Sequence, residues 1–322
     1  MFTLPNEIPL AVYFITLFTG LPLNLIAVYT FSTKVCKKSS PTDIFLLSLT
    51  LSDLVFLLFL PFKIHEALNN MIWDLPLALC AVTEFVFFSS IYISTLFLTA
   101  VSVDRYLGVA FPIKYKLKRK SSYAVLASFF FWIISTGNCS IVYFVQYLEK
   151  YRNVSIKSTE CYDNFTNEQL SILLPVRFEM SILLFFVPLL VTIFCYIQFI
   201  RILQSLPHIQ RNKQQRAIAM AATTVIVYII CFLPYNVSHI VGYIQKESPT
   251  WRVAALLPSA FNASLDPIIF YFSSSAVKKN CITFLTRVTK KLGMSCSRLV
   301  QKSYENNDCD KPTSTQEVTV VH

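Results

Sequence analysis

Charged residues are scarce in this sequence. Asp, Glu, Lys and Arg make up 14% of its 322 residues, whereas hydrophobic residues make up 54%. A soluble domain of this length would carry nearer a quarter of charged residues. The apolar residues also stand in long blocks instead of alternating with polar ones. The composition therefore argues against a soluble globular protein and favours a membrane protein.

The sequence also lacks the patterns of several other protein classes. Its nine cysteines include no C-x-x-C pair and are too scattered for a disulfide framework or a zinc site. No nucleophile–base set or metal-ligand set stands out, so nothing indicates an enzyme. The net charge of +10 could suit nucleic acid, but the cations lie in short segments between apolar blocks. No nucleic-acid partner is expected.

Seven apolar blocks are each long enough to cross a bilayer, which takes about 20 helical residues. They run over residues 8–31, 44–62, 81–103, 121–148, 170–200, 217–245 and 253–277. Transmembrane strands would be half as long and would alternate strictly, so helices are favoured. Prolines inside the blocks are tolerated where a neighbouring helix can bind the carbonyl that each proline frees. The predicted fold is an all-α, seven-transmembrane helix bundle.

The distribution of cations predicts the orientation of this bundle. Lys and Arg cluster in the first, third and fifth connections and after the last block, and are sparser elsewhere. The positive-inside rule then places the N-terminus outside the membrane and the C-terminus in the cytoplasm. The first ten residues lack the positive charge of a signal peptide, so the first block is expected to act as an uncleaved span. Residues 1–7 form a short outer N-terminus and residues 8–274 the membrane domain.

The remaining segments carry predictions of their own. Residues 275–292 mix apolar residues with lysines, which is typical of a short amphipathic eighth helix on the membrane surface. Residues 293–322 are polar and predict a disordered cytoplasmic tail with sites for phosphorylation. Cys296 could carry a palmitoyl group or remain a free thiol. The sequons at Asn153 and Asn164 lie in the second outer loop and are expected to be glycosylated.

Residues of specific types occur in a fixed order along the blocks. The third block, in particular, is preceded by Cys80 and followed by an Asp-Arg pair and a basic cluster. The ordered set comprises Asn24, Asp53, Asp104-Arg105-Tyr106, Trp132, Pro188, Tyr196, Cys231-Phe232-Leu233-Pro234 and Asp266-Pro267-Ile268-Ile269-Phe270-Tyr271.

Over residues 8–290 this set resembles the rhodopsin-like (class A) G-protein-coupled receptors. Two positions depart from that pattern. Phe232 stands where the family often has tryptophan, and the last motif has Asp266 and Phe270 where asparagine and tyrosine are usual. The resemblance implies a receptor that signals through a heterotrimeric G protein.

Further stretches resemble the free fatty acid receptors more closely. Asn138 departs from them, since these receptors often have histidine there. The stretches are Leu60-Pro61-Phe62-Lys63, residues 107–112, residues 161–165, Leu174-Pro175-Val176-Arg177, residues 234–239 and residues 262–267.

Arg177 is the sharpest candidate for ligand binding. An arginine inside a span costs about 2.5–3.5 kcal/mol at the bilayer centre and less near an end. Arg177 could instead snorkel to lipid head groups, Arg252 could be an ordinary boundary cation, and His239 a buried, hydrogen-bonded histidine. The resemblance implies that the two arginines clamp a ligand carboxylate, assisted by His239. It also implies that Tyr92 and Tyr235 line the acyl side, although either could serve helix packing.

The resemblance assigns further roles. It implies a disulfide between Cys80 and Cys161, and a sodium ion with water among Asn24, Asp53 and Asp266. Glu84, one turn inside the third block, either pairs with an arginine in the empty receptor or faces a loop.

A switch for the G protein is implied at the end of the third block. Arg105 is expected to bind Asp104 at rest and to be released towards the G protein, with Tyr106 and Tyr196 in the same switch.

The favoured function is a receptor for the extracellular short-chain acids acetate, propionate and butyrate. The partners implied by the resemblance are G proteins of the Gi/o or Gq class and arrestin. One rival is a receptor of the same fold for longer fatty acids, hydroxy acids, nucleotides or another small anion. Another is a transporter or channel, although no internal repeat of the kind transporters use is evident.

Overall fold

A computed structural model describes residues 7–118, 120–145, 161–162, 165–206 and 211–273, with isolated positions at 280, 282, 283 and 286. The chain divides into two units, Met1–Val277 and Lys278–His322. The predicted glycosylation sites Asn153 and Asn164 lie outside the described residues. So do the predicted eighth helix and tail, apart from the four isolated positions.

The first unit is built from helices. Helices α1, α2 and α3 cover Glu7–Lys38, Pro41–Leu68 and Leu77–Ala110, the short α4 covers Pro112–Lys118, and α5 covers Ser121–Cys139. The fifth span joins α6 (Asn167–Ser181) to α7 (Val187–Ser205) through the π-helical turn Ile182–Phe186. The sixth span joins α8 (Arg211–Val227) to α9 (Leu233–Gln245) through the π-helical turn Tyr228–Phe232. The last two helices are α10 (Arg252–Ala260) and α11 (Asn262–Ser273).

Six of the helices in the described part of the chain are long and apolar enough to cross a membrane. The seventh predicted block is also helical, but it is divided at Phe261 into α10 and α11. The Phe261 N–H donates to the Pro258 carbonyl, three residues back, at 3.2 Å. This tighter turn interrupts the α-helical bonding, so the seventh span consists of two short helices instead of one continuous helix.

Two prolines free carbonyls that side chains from other spans bind. Pro188 cannot donate to the Leu184 carbonyl four residues before it, and Thr95 Oγ1 of α3 lies 2.8 Å from that oxygen. Pro267 likewise frees the Ala263 carbonyl, which accepts from Asn24 Nδ2 of α1 at 2.7 Å. The expectation that neighbouring helices bind such carbonyls is therefore confirmed at both sites.

Burial in the bundle is inverted relative to a soluble protein. Large apolar side chains such as Phe18 and Leu58 are more than two-thirds exposed on the outer faces, while Asn24, Asp53 and Asp266 are fully buried. Polar groups that face the interior of a helix bundle are typical of membrane proteins, in which the outer face meets lipid.

Candidate ligand-binding site

A disulfide fixes the loop that covers one end of the bundle. Cys80 near the start of α3 is bonded to Cys161, which confirms the predicted pair. Tyr162 follows in the left-handed backbone region, with a φ of 59°. That conformation is uncommon for a residue other than glycine, and the surrounding contacts must hold it. We call this end of the bundle the disulfide end.

Arg177 and Arg252 meet at the disulfide end around a single aromatic ring. The guanidinium carbon of Arg177 lies 4.9 Å from the centre of the Phe165 ring, and that of Arg252 lies 5.8 Å from it. The two residues are only 5% and 3% exposed. Neither arginine therefore snorkels outwards, and the rings of the loop shield their charges from solvent.

The covering loop contacts both arginines. Arg177 lies 5.7 Å from the centre of the Tyr162 ring, and Arg252 Nη2 donates to the Tyr162 carbonyl at 3.3 Å. Burial raises the pKa of the Tyr162 phenol, and the two guanidinium charges oppose this shift only in part. Arg177 Nη2 is buried without a hydrogen-bond partner among the described residues. The Arg177 guanidinium group can therefore donate a hydrogen bond to an acceptor on a bound ligand.

The other three predicted ligand residues lie in the same place. The ring of Tyr235 packs edge-on against His239, with 4.3 Å between their centres. Both arginine charges act on the His239 ring, and the Tyr92 hydroxyl lies within electrostatic range of Arg177 and Tyr235. The structure thus brings the five residues together, while their role in binding stays a prediction.

Of the two alternatives for Glu84, an arginine partner and a position facing a loop, the structure shows the second, together with a lysine partner. Its Oε1 atom lies 2.6 Å from Lys63 Nζ, so it pairs with a lysine and not with an arginine. It also faces the covering loop, since the same oxygen lies 3.9 Å from Cys161 Sγ. Lys63 binds Glu66 as well, at 2.5 Å. Lys63 and Glu66 were missed as site residues, although opposite charges three residues apart on a helix are a signal for such a pair.

A second buried polar cluster lies deeper between the spans. Asp53 and Asp266 are side by side, and Asp266 accepts from Asn262 Nδ2 at 3.0 Å. Both Asp53 oxygens, and one oxygen each of Asn24, Asn262 and Asp266, have no hydrogen-bond partner among the described residues. Carboxylate and amide oxygens are the ligands that hard cations prefer. The cluster therefore fits the sodium ion predicted at Asp53.

The cluster does not resemble a site for a transition metal. The described part of the chain holds no group of three or more His, Cys, Asp and Glu residues placed to bind a metal ion. Carboxylate and amide oxygens suit hard cations better than soft transition metals.

The predicted switch residues lie at the opposite end of α3. Asp104 accepts hydrogen bonds from Thr42 and from Tyr115. The predicted Asp104–Arg105 pair stays a prediction. Tyr196, within electrostatic range of Arg105, donates to Thr224 Oγ1 at 3.3 Å.

Tyr106 makes only aromatic contacts among those described. Its ring centre lies 6.4 Å from that of Phe111 and 6.0 Å from that of Phe194. Tyr106 thus joins α3 to the fifth span by packing.

Comparison with known proteins places these features in a family. Residues 23–270 match the model of the 7 transmembrane receptor (rhodopsin family). The chain is 45% identical over 314 residues to Free fatty acid receptor 2 of Mus musculus, covering 97% of this chain and 95% of the relative. It is 50% identical over 276 residues to Free fatty acid receptor 2 of Homo sapiens, covering 85% and 84%. It is 41% identical over 308 residues to Free fatty acid receptor 3 of Homo sapiens, covering 94% and 88%.

Proposed function

Because the chain belongs to the rhodopsin family of seven-transmembrane receptors, and within it to the free fatty acid receptors, we propose that it is a receptor for the short-chain fatty acids acetate, propionate and butyrate. The family implies a small-molecule ligand and a G-protein partner. Its members are receptors and not enzymes.

One observation carries the proposal: two buried guanidinium groups share the Phe165 ring. Guanidinium groups bind carboxylates through paired N–H donors, and such charge-assisted hydrogen bonds are stronger than hydrogen bonds between neutral groups. Two adjacent cations also repel each other, so an anion between them relieves that repulsion. His239 and Tyr235 pack against each other next to the arginines. In this proposal His239 assists the binding of the carboxylate, and Tyr235 lines the space for the acyl chain.

Short acids set a ceiling on affinity. The best small ligands gain about 1.5 kcal/mol of binding free energy per heavy atom. An acid of four or five heavy atoms therefore gains at most roughly 6 to 7.5 kcal/mol, which is micromolar at best. Activation then follows by population shift, since the ligand binds the active arrangement more tightly than the resting one.

The orientation and signalling partners extend the proposal. The disulfide end faces outside, because the opposite connections carry the lysines and arginines. G proteins of the Gi/o or Gq class and arrestin bind at the Asp104 end, where release of Arg105 completes the switch. Asn153 and Asn164 are glycosylated outside, and residues 275–292 lie on the inner leaflet.

A sodium ion held by Asp53, Asp266 and the adjacent amide oxygens would neutralise the buried carboxylates. Asp53 and Asp266 lie on different spans, so the pair links helix α2 to α11. An ion bound in only one arrangement of these helices would bias the receptor towards that arrangement.

The test is propionate-evoked G-protein signalling in cells that carry Arg177→Ala or Arg252→Ala. Both variants are expected to lose the response. Lys246→Gln is the matched control, since Lys246 is an exposed cation next to α9 at the same end. Acids from acetate to decanoate are compared on the wild-type receptor. A full response in both arginine variants contradicts the clamp, and a preference for decanoate contradicts the short-chain assignment.

A further inference from the structure

Among the described residues, the buried acidic side chains at the disulfide end pair with a lysine and not with the two arginines. Lys63, Arg177 and Arg252 are the buried lysine and arginine side chains in the described part of the chain. Two glutamates, Glu66 and Glu84, are buried at the same end of the bundle, and both bind Lys63. One lysine thus takes both carboxylates.

Glu84 lies beside the loop residues that contact the arginine pair. Its Oε1 atom lies 3.9 Å from Cys161 Sγ, and the carbonyl of the next residue, Tyr162, accepts from Arg252 Nη2. The charge of Glu84 acts on Tyr162 and Tyr235, the same two tyrosines on which both arginines act. Glu84 and Arg252 thus contact consecutive residues of the covering loop, Cys161 and Tyr162.

We propose that Lys63 is a positioning residue for ligand binding, because it holds Glu84 away from the arginine pair and so keeps the buried Nη2 of Arg177 available to the carboxylate of a short-chain acid. This inference rests on the function proposed above. Lys63 does not touch the ligand in this scheme; it acts through Glu84.

The physical argument concerns an internal competitor. A carboxylate carried on the same chain meets the arginines at an effective concentration in the millimolar range or above. A short acid of limited affinity, present in solution, competes poorly against such a group. Lys63 removes this competition by binding Glu84 in a buried site, where an ion pair is strong and the loss of one partner leaves the other charge uncompensated.

The test measures the potency of propionate in G-protein signalling, with surface expression in parallel, for Lys63→Met, for Glu84→Gln and for the variant that carries both. Lys63→Met is expected to lower the potency about tenfold or more, in line with the coupling of close charge pairs. Adding Glu84→Gln to Lys63→Met is expected to restore potency to within about threefold of the wild-type receptor, because the competitor is then neutral. A purely structural role for Lys63 does not predict this rescue.

Three further variants support this comparison. Lys63→Arg keeps the charge and is expected to stay near wild-type potency. Where Lys63→Met does not reach the surface, Lys63→Gln replaces it, since a polar amide suits the buried site but offers no charge to hold the Glu84 carboxylate. Lys34→Met is the matched control, because Lys34 also pairs with a carboxylate, Asp43 at 3.3 Å, in another part of the bundle.

The outcomes separate this inference from the proposed function. If the wild-type receptor does not respond to propionate, the proposed function fails. If it responds and the Lys63 variant without charge keeps wild-type potency, the inference is wrong. Loss of potency that Glu84→Gln does not rescue also overturns it, since Lys63 would then act on the fold and not through Glu84.

Discussion

Asn24 Nδ2 lies 2.7 Å from the Ala263 carbonyl, which Pro267 leaves without its helical donor. The same amide nitrogen donates to the Gly20 carbonyl at 2.9 Å. A Cβ at Gly20 would lie only 3.2 Å from the Ala263 oxygen, so glycine permits the close approach of α1 to α11. The Asn24 side chain thereby connects the first and last spans of the bundle through a hydrogen bond.

Replacing Asn24 by leucine should destabilise the bundle. The variant Asn24→Leu keeps the size of the side chain but leaves the buried Ala263 carbonyl without its donor. Interhelical hydrogen bonds in membrane proteins contribute about 0.6 to 2 kcal/mol, and we expect a loss in that range. The measurement is thermal unfolding of the purified receptor in detergent micelles.

Asn138→Leu is the matched control for this experiment. The Asn138 amide donates to the Ile134 carbonyl of its own helix at 2.8 Å. Its loss should leave the unfolding temperature nearly unchanged. Equal shifts in both variants would show that the bond between spans adds nothing specific.

The positions of the helices could be predicted from the sequence, but their ends could not. The second apolar block was predicted to end at about Phe62, and the charged residues Lys63 and Glu66 follow it in the sequence. The structure continues it to Leu68, with both side chains buried. Hydropathy measures each residue alone, whereas these charges are compensated by each other and by Glu84 of another helix.

The ligand-binding site, too, could be predicted from the sequence only in part. The presence of an arginine inside the fifth span is visible in the sequence, because such a charge is costly in a membrane. That Arg177 and Arg252 share the Phe165 ring is not, since 75 residues separate the arginines along the chain. Their grouping was predicted only through the resemblance to a family. The seventh span was predicted as one helix. Its break at Phe261 depends on a local hydrogen bond to the Pro258 carbonyl, which the hydropathy of the sequence does not show.

Reduction of the Cys80–Cys161 disulfide should lower the potency of propionate in signalling. The bond anchors Tyr162, whose carbonyl binds Arg252. Loss of a native disulfide typically costs about 2–5 kcal/mol of stability. We expect dithiothreitol to lower the potency of propionate on intact cells. The control is the double variant Cys80→Ser/Cys161→Ser, in which dithiothreitol should have no further effect. A wild-type potency unchanged by complete reduction would contradict this prediction.

Sodium should weaken agonist binding through Asp53. If the ion is held by Asp53 and Asp266 in the resting receptor, replacing choline chloride by sodium chloride lowers the affinity for propionate. Allosteric couplings of this kind are about fivefold or more. The variant Asp53→Asn removes a charged ligand and should lose this sodium effect. The measurement is the affinity for propionate in isolated membranes, compared between sodium chloride and choline chloride at constant ionic strength.

A carboxylate outside the bundle provides the control for the sodium experiment. Asp74 lies in the loop before α3, and its hydrogen bond to His65 at 2.7 Å lowers the pKa of its carboxyl group. Asp74 is therefore charged under assay conditions, as a fair control requires. Asp74→Asn should keep the full sodium effect. A sodium effect that survives in Asp53→Asn would place the ion elsewhere.

Exchange of arginine for lysine should separate the charge of the clamp from its shape. Arg177→Lys keeps a cation beside the Phe165 ring but offers a compact ammonium group in place of a planar fork. Because paired N–H donors hold both carboxylate oxygens, we expect the potency of propionate to fall about tenfold or more, with surface expression unchanged. Arg252→Lys should behave alike, and Lys246→Arg, at an exposed position, should not differ from wild type. Full potency in Arg177→Lys, together with loss in Arg177→Ala, would mean that positive charge alone selects the acid.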